Sequence, residues 1–367
     1  MISAGYIGAY TRGAGGRSRG MYSFLFDGDT GEVKNLGIAA EAVNPEFIAL
    51  SPSKKRLYVT HETSEFRGQP TGSVSAFAAG GSRGETLSLM NQVSSGGRGP
   101  CHIALDTSGT RAVVSHYTEG AVAVFPIHAD GSIGECIQTV QFTGKGPNKA
   151  RQEAPHAHSC ILRDVREAAQ GYSSVALACD LGSDNIWTFS YDRNRREPLQ
   201  PLDPPFFQCA AGSGPRHTLF HPSKDIAYAV HELSCTIDVL SLTGGRLSLV
   251  QTVPLLPPEL PPRTRAADIT ASAIKFGADA RFLYASIRGR DSIVTLRVME
   301  EGLLEPVAAI PSGGRMPRDF AVDPTGAFLL VCHQESDNLV VFRIDRLTGL
   351  LEKVREYEVL SGVCIIV

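Results

Sequence analysis

Four titratable residues frame one stretch of the chain. Gly212 to Leu233 reads GSGPRHTLFHPSKDIAYAVHEL, opening with Arg216-His217 and closing with His231-Glu232 around an apolar, alternating interior. A carboxylate beside an imidazole can take and return a proton. Arginine adds a planar fork that matches carboxylate or phosphate and steadies negative charge on oxygen. Residues of these kinds recur at comparable places: His61-Glu62, His102 with His116, His156 and His158 with Asp180, Arg288 with Arg290, and Arg318 with His333, Gln334 and Glu335. Eight of the ten histidines fall at such places, and only His128 and His221 lie elsewhere. Arg216, Arg288 and Arg318, gathered with Glu232 as the one acid set against them, would repel one another unless an anion joined them. The expected ligand is therefore small and anionic. His156 and His158 are two apart, on one face of a strand, and with Glu232 they form an alternative, a metal site; the expectation is no metal and no cofactor. Taken singly, His61, His102, His116 and His333 are expected to serve the framework or the wall of a binding site.

Such residues need elements that bring them together, and the chain supplies a repeat. One unit recurs at a period of roughly 45 to 60 residues, close to that of propeller blades. Its copies begin NPEFIALSPSKKRLYVTHE at Asn44, GPCHIALDTSGTRAVVSHY at Gly99, PHAHSCIL at Pro155, GPRHTLFHPSKDIAYAVHEL at Gly214, TASAIKFGADARFLYASIRGRDS at Thr270 and MPRDFAVDPTGAFLLVCHQES at Met316. The N-terminal AGYIGAYT, GMYSFLF and GEVKNL match the last three strands of a seventh unit, and the C-terminal GVCIIV matches its missing first. Joining the ends removes the exposed edges of an open array. The expected fold is all-β, a single seven-bladed β-propeller over residues 1–367 whose ring is closed by the C-terminal strand joining the N-terminal blade. In an antiparallel hairpin the start of the first strand lies beside the end of the second, so the polar ends of all blades crowd one mouth of the channel. A helical turn is expected at RDVREAAQGY from Arg163, and a proline-rich excursion at PLLPPELPPRTRAAD from Pro254.

Composition narrows the partners. A formal net charge of −3 lacks the positive field that nucleic-acid binding requires, and no run of 18 apolar residues is present to span a bilayer. The eight cysteines are scattered without C-x-x-C spacing, as expected of reduced, buried thiols. MISAGYIGAYTRGAGGR lacks the basic region and apolar core of a secretory signal. The chain is expected to be cytoplasmic, bound to neither nucleic acid nor membrane, and a monomer or weak homodimer.

The GPRH blade with its terminal HEL, the PHAHS segment, LYASIRGRDSIVT and the MPRDF blade together resemble the propeller lactonase family, over almost the whole chain. That family includes the bacterial propeller-type 6-phosphogluconolactonases and the fungal carboxy-cis,cis-muconate cyclase. The resemblance implies that His158, Glu232, Arg216 and Arg288 occupy catalytic positions, with His156, His217, Arg318, His102, His333 and Gln334 around the substrate. Glu232 or His158 would activate water, and the arginines would stabilise the oxyanion and hold the anionic group. The implied reaction is hydrolysis of 6-phospho-D-glucono-1,5-lactone to 6-phosphogluconate. Alternatives are cycloisomerisation of a carboxylated muconate, another sugar lactone, or a propeller that only binds partners. The segment FTGKGPNKARQ, from Phe142 to Gln152, departs from the family pattern and is placed to lid the site.

Overall fold

In the computed structural model, which describes residues 1–13, 15–164, 172–257 and 268–367, twenty-eight strands in chain order, β1–β28, form seven antiparallel four-stranded sheets. Each sheet is a blade. Six follow the chain, and the seventh has the order β28-β1-β2-β3, so Gly362–Ile366 (β28) lies beside Ile2–Ala9 (β1) and closes the ring. The innermost strands are β4 (Pro45–Leu50), β8 (Pro100–Leu105), β12 (Ala157–Asp164), β16 (Pro215–Phe220), β20 (Thr270–Phe276), β24 (Pro317–Val322) and β28. Each contacts the next, and β28 contacts β4, which encircles a central channel.

Burial falls from the channel outward, and the sequence follows it. Second strands such as Phe328–His333 (β25) and Ser174–Asp180 (β13) are buried at every residue, because a neighbouring blade covers each face, and they read as unbroken small or apolar runs. Outermost strands such as Leu351–Glu358 (β27) have no fully buried residue and read LEKVREYE. At the far mouth, Asp106 accepts hydrogen bonds from the backbone of Thr110 (2.8 Å) and Arg111 (3.1 Å), and Asp323 does the same for Ala327 and Phe328. These are turn devices and carry no chemistry. The helical turn expected from Arg163 and the proline-rich excursion from Pro254 fall largely on residues 165–171 and 258–267, outside the described residues.

At the near mouth the pairing slips by one residue. Pro45 faces His61 but Phe47 faces Thr60, which leaves Glu46 as the extra residue of a β-bulge. Cys101, His158, Arg216 and Arg318 are the extra residues in four other blades, and Val363 in the closing one. A bulge bends its strand and re-aims the side chain it carries. Proline suits the first residue of such a strand because it has no N–H to leave unpaired, and Pro45, Pro100, Pro215 and Pro317 stand there. Before each proline the chain turns with positive φ, at Asn44 (41°), Gly99 (63°), Gly214 (64°) and Met316 (58°). A side chain on Gly214 would also meet Leu233 Cγ at 2.7 Å.

Closure of the ring is tested at Ile365, which is fully buried and faces Ile7 across the β28–β1 pair. Its amide donates to Asp319 Oδ2 at 3.0 Å. Ile365→Ala is expected to cost about 2–5 kcal/mol in urea unfolding, whereas trimming the partly exposed Val367 should cost far less. Equal, small effects would show that the closing strand does not hold the ring.

Candidate active site

Glu232 follows the second strand Ile226–His231 (β17), and its amide donates to Gly214 O at 2.7 Å, which sets it beside the head of β16. Its Oε2 receives Arg216 Nε at 3.0 Å and Arg288 Nη2 at 2.8 Å. Oε1 receives Arg151 Nη2 at 2.5 Å. His158 Nε2 lies 3.8 Å from Oε2. Burial works against the ionised carboxyl, but the guanidinium groups of Arg288, Arg216 and Arg151 outweigh it and hold Glu232 well below the usual carboxylate range. His158 moves the same way for a different reason: burial and the charge of Arg216 disfavour its proton, so the imidazole is neutral. Arg216 is enclosed as well, donating from Nη1 to Ser272 O at 3.0 Å. Burial and its neighbour Arg288 bring its pKa down to about 10, which leaves it charged at neutral pH.

A second charged cluster stands at the same mouth. Arg318 Nη2 donates to Glu46 Oε1 at 2.6 Å, and its guanidinium lies 5.3 Å from the centre of the Tyr10 ring. The Tyr10 hydroxyl donates to Glu62 Oε2. Glu46 therefore supplies a second counter-charge, where Glu232 alone had been expected to face the three arginines. Burial exceeds the pull of Arg318 and raises the Glu46 pKa to about 7. Members of both clusters line a cavity of about 460 Å³. Arg12, Arg151, Arg288 and Arg318 are on its walls against Glu62 and Glu232, so among the described residues the walls carry two positive charges in excess. The charges are paired differently from the expectation of Glu232 as the one acid set against three arginines.

Of the residues singled out in the sequence, His158, Glu232, Arg288, Arg318 and Gln334 line the cavity, and Arg216 stands directly behind Glu232. His217 and His102 sit one step further along their strands. The His217 ring is 5.5 Å from that of His158 and 5.6 Å from that of His102, and Phe47 packs on His102 at 4.3 Å. Rings from four blades thus meet in an aromatic layer, of which His158 reaches the cavity wall. His156 is turned away. It stacks on Tyr117 at 4.4 Å, and its ring nitrogens face Tyr117 O at 2.9 Å and Glu153 Oε1 at 3.2 Å. The bulge between Ala157 and Ser159 breaks the common face on which a metal site of His156, His158 and Glu232 depended, and the structure does not assemble it. Among the described residues, Cys209, His231 and Asp238 do bring potential ligand atoms within 4.8 Å of one another; none of the three lines the cavity.

His333 lies outside the cavity, against Ser312 Oγ at 3.0 Å and Asn338 O at 3.3 Å. His61 and His231 likewise face Ser75 Oγ at 2.7 Å and Asp238 Oδ2 at 3.0 Å. The reason is strand alternation. His61, His116, His231 and His333 pair with Pro45, Pro100, Pro215 and Pro317 and point into the seams between blades. The next residues, Glu62, Tyr117, Glu232 and Gln334, turn to the cavity. Glu46, Tyr10, Tyr117 and Arg151 were not anticipated as site residues. Reading the repeats column by column would have found Glu46, which stands in NPEF where Arg216 stands in GPRH.

The buried imidazoles predict acid lability. Burial lowers His61, His116 and His333 to about 4 and His102 to about 3, and holds His158 and His217 well below the ordinary value of 6.5. The unfolded chain binds these protons near its unperturbed value and the folded chain only at far lower pH, so their stability is complete above that value and is lost as pH falls toward 4. Glu46 and Asp180, both raised by burial, work in the opposite direction, binding their protons more readily when folded, but they are two groups against six. The thermal midpoint is expected to be flat near pH 7.5 and to fall steeply by about pH 5, at about 1.4 kcal/mol per pH unit for each imidazole. A midpoint unchanged across that range would contradict the burial assigned to these rings.

The comparisons agree with this architecture. Residues 4–367 match the family described as lactonase, 7-bladed β-propeller. The chain is 34% identical over 363 residues to a 6-phosphogluconolactonase of Formosa agariphila, covering 97% of each. It is 33% identical to a 6-phosphogluconolactonase of Bacillus subtilis, covering 95% of this chain and 93% of that one. Among solved structures, the periplasmic gluconolactonase of Pseudomonas aeruginosa superposes with a TM-score of 0.88 at 30% identity, covering 100% of this chain and 99% of that one. Because the likeness runs through every blade, the whole ring shares one ancestry: the chain belongs to the seven-bladed β-propeller lactonase family and is a hydrolase of that class.

Proposed function

We propose that the protein hydrolyses 6-phospho-D-glucono-1,5-lactone to 6-phosphogluconate. The observation that carries this reading is the excess of arginine over carboxylate on the walls of a cavity that also holds a carboxylate and a neutral imidazole 3.8 Å apart. Such a set matches an electrophilic carbonyl with an anionic tail. Water adds to the lactone carbonyl as Glu232 or His158 takes its proton. Arg288, reaching the cavity from the end of its strand, steadies the oxyanion. The ring C–O bond then breaks, the proton passes to the released ring oxygen, and the new carboxylic acid ionises to solvent. Arg318, Arg12 and Gln334, which line the same cavity, are assigned to the phosphate. The names of the Formosa and Bacillus relatives support this substrate.

A second reading, an unphosphorylated sugar lactone, is favoured by the name of the Pseudomonas relative. Placement in the cytoplasm belongs to the proposal; it is supported by eight cysteines that are all free thiols. No helix among the described residues is long and apolar enough to cross a membrane.

Acid release in a pH-stat decides between the readings. The purified protein is expected to turn over 6-phosphogluconolactone faster than gluconolactone, and carboxymuconolactone least; preference for gluconolactone would support the second reading, and no acid release from any of the three would end both. Glu232→Gln is expected to lower kcat by about 10²–10⁴-fold with the fold retained by circular dichroism, and Arg288→Ala to raise KM as well as lower kcat. Unchanged kinetics in both variants would remove these residues from the reaction.

A further inference from the structure

We propose that Arg151 is a latch on Glu232 which the anionic group of the substrate releases, so that the catalytic carboxylate is freed only when a charged lactone is bound. The inference rests on the lactonase reading above and goes beyond it, since it assigns charge selectivity to a residue outside the blades.

The two oxygens of Glu232 are held differently. Oε2 is shared by Arg216 and Arg288, both carried on strands and both buried. Oε1 is held by Arg151, whose side chain is 37% exposed and lines the cavity. Arg151 belongs to the connection between Gln138–Gln141 (β11) and β12. A further side-chain hydrogen bond, to the Tyr117 hydroxyl at 3.3 Å, comes from the same Nη2 that reaches Glu232.

Its backbone is fixed by its neighbour. Gln152 is fully buried, donates to Leu181 O at 2.9 Å and Asp184 Oδ1 at 2.7 Å, and accepts from Asn148 N at 3.1 Å. Asp184 in turn accepts from the amides of Gly212 and Gly214, so one carboxylate anchors both the segment of Arg151 and the turn before Arg216. With the main chain pinned, the freedom left to Arg151 is that of its side-chain rotamers.

While Arg151 sits on Oε1, both oxygens of Glu232 face guanidinium groups and neither is offered to water. A phosphate or carboxylate in the cavity gives Arg151 a partner of equal sign to the one it leaves, in a place less buried. A neutral lactone gives it none. A ligand shifts such an equilibrium only by its differential interaction with the two states, and here that difference is the charge of the ligand. Once Oε1 is free, Glu232 is still faced by Arg216 from β16, Arg288 from Phe282–Arg288 (β21) and His158 from β12, with Tyr117 beyond. It accepts the proton as the water oxygen bonds to the carbonyl carbon, and returns it to the ring oxygen as the C–O bond breaks. Binding energy of a remote group thereby appears in kcat.

The test compares 6-phosphogluconolactone with gluconolactone in the unmodified protein, Arg151→Gln and Arg151→Lys, over a range of pH. Arg151→Gln is expected to raise kcat on gluconolactone at least about threefold, to lower kcat/KM on the phosphorylated lactone, and so to collapse the preference at least about tenfold. The acid limb of its pH profile should move upward, because one cation has left Glu232, and Arg151→Lys should restore most of the preference. A parallel fall in kcat on both lactones, or a change confined to a higher KM for the phosphorylated one, would overturn the latch and leave the lactonase reading intact. Absence of hydrolysis of either lactone by the unmodified protein would remove both. Should Arg151→Gln not fold, inorganic phosphate added to the unmodified protein is expected to raise gluconolactone turnover; no effect or inhibition would overturn the latch.

Discussion

One extra residue at the head of an innermost strand decides which side chains face the channel. A strand without that slip would alternate strictly, and the residue after each proline would turn away. The slip aims Glu46, His158, Arg216 and Arg318 from four separate blades at one mouth. The ring then brings together groups far apart in the chain: Glu46 and Arg318 are 272 positions apart and hydrogen-bonded. One local irregularity, repeated around a closed circle, thus supplies part of the mouth's chemistry, and the ends of second strands and one connection supply the rest.

The two buried glutamates show how such a frame sets chemistry without changing residue type. Glu232 is 2% exposed and Glu46 3% exposed, so desolvation penalises both. Glu232 meets three guanidinium groups and is held ionised, whereas Glu46 meets one and sits near neutrality at about 7. Removing a partner from such a buried group costs far more than an exposed pair is worth. In the four blades whose second strand ends in histidine there is a further sorting: the histidine points into a seam and its successor into the cavity. Neutral imidazoles suit the seams, and carboxylates suit the place where cations converge.

The ring was legible in the sequence because its signals repeat. Six similar openings and complementary termini leave one way to close the sheet edges, and β28 pairs with β1 as the ends implied. Hairpin geometry also placed Arg216, Glu232, Arg288 and His158 at one mouth. The histidines were harder. His333 and His158 both lie at strand ends, and only the one-residue difference between a seam position and a bulge position separates framework from cavity. Glu46 was visible in principle, as the counterpart of Arg216 in its own blade. Arg151 was not, since it belongs to a connection without periodicity, and its reach depends on Gln152 and Asp184 meeting across chain segments that no spacing rule relates.

The pairing of β1 with β28 has a consequence for biosynthesis. Tyr6 lies against Ile366, 360 positions later, so the edge of the first sheet leaves the ribosome long before the strand that covers it. Until then Ile7, fully buried in the finished ring, belongs to an open edge able to recruit a foreign strand. Contacts of such separation are slow to form. Asp319, whose carboxylate accepts from Ile365 N and pairs with Lys275 at 2.9 Å, also waits for that last strand. The nascent polypeptide thus passes through a vulnerable interval of its own making, and the cavity acquires its final shape in the event that ends it.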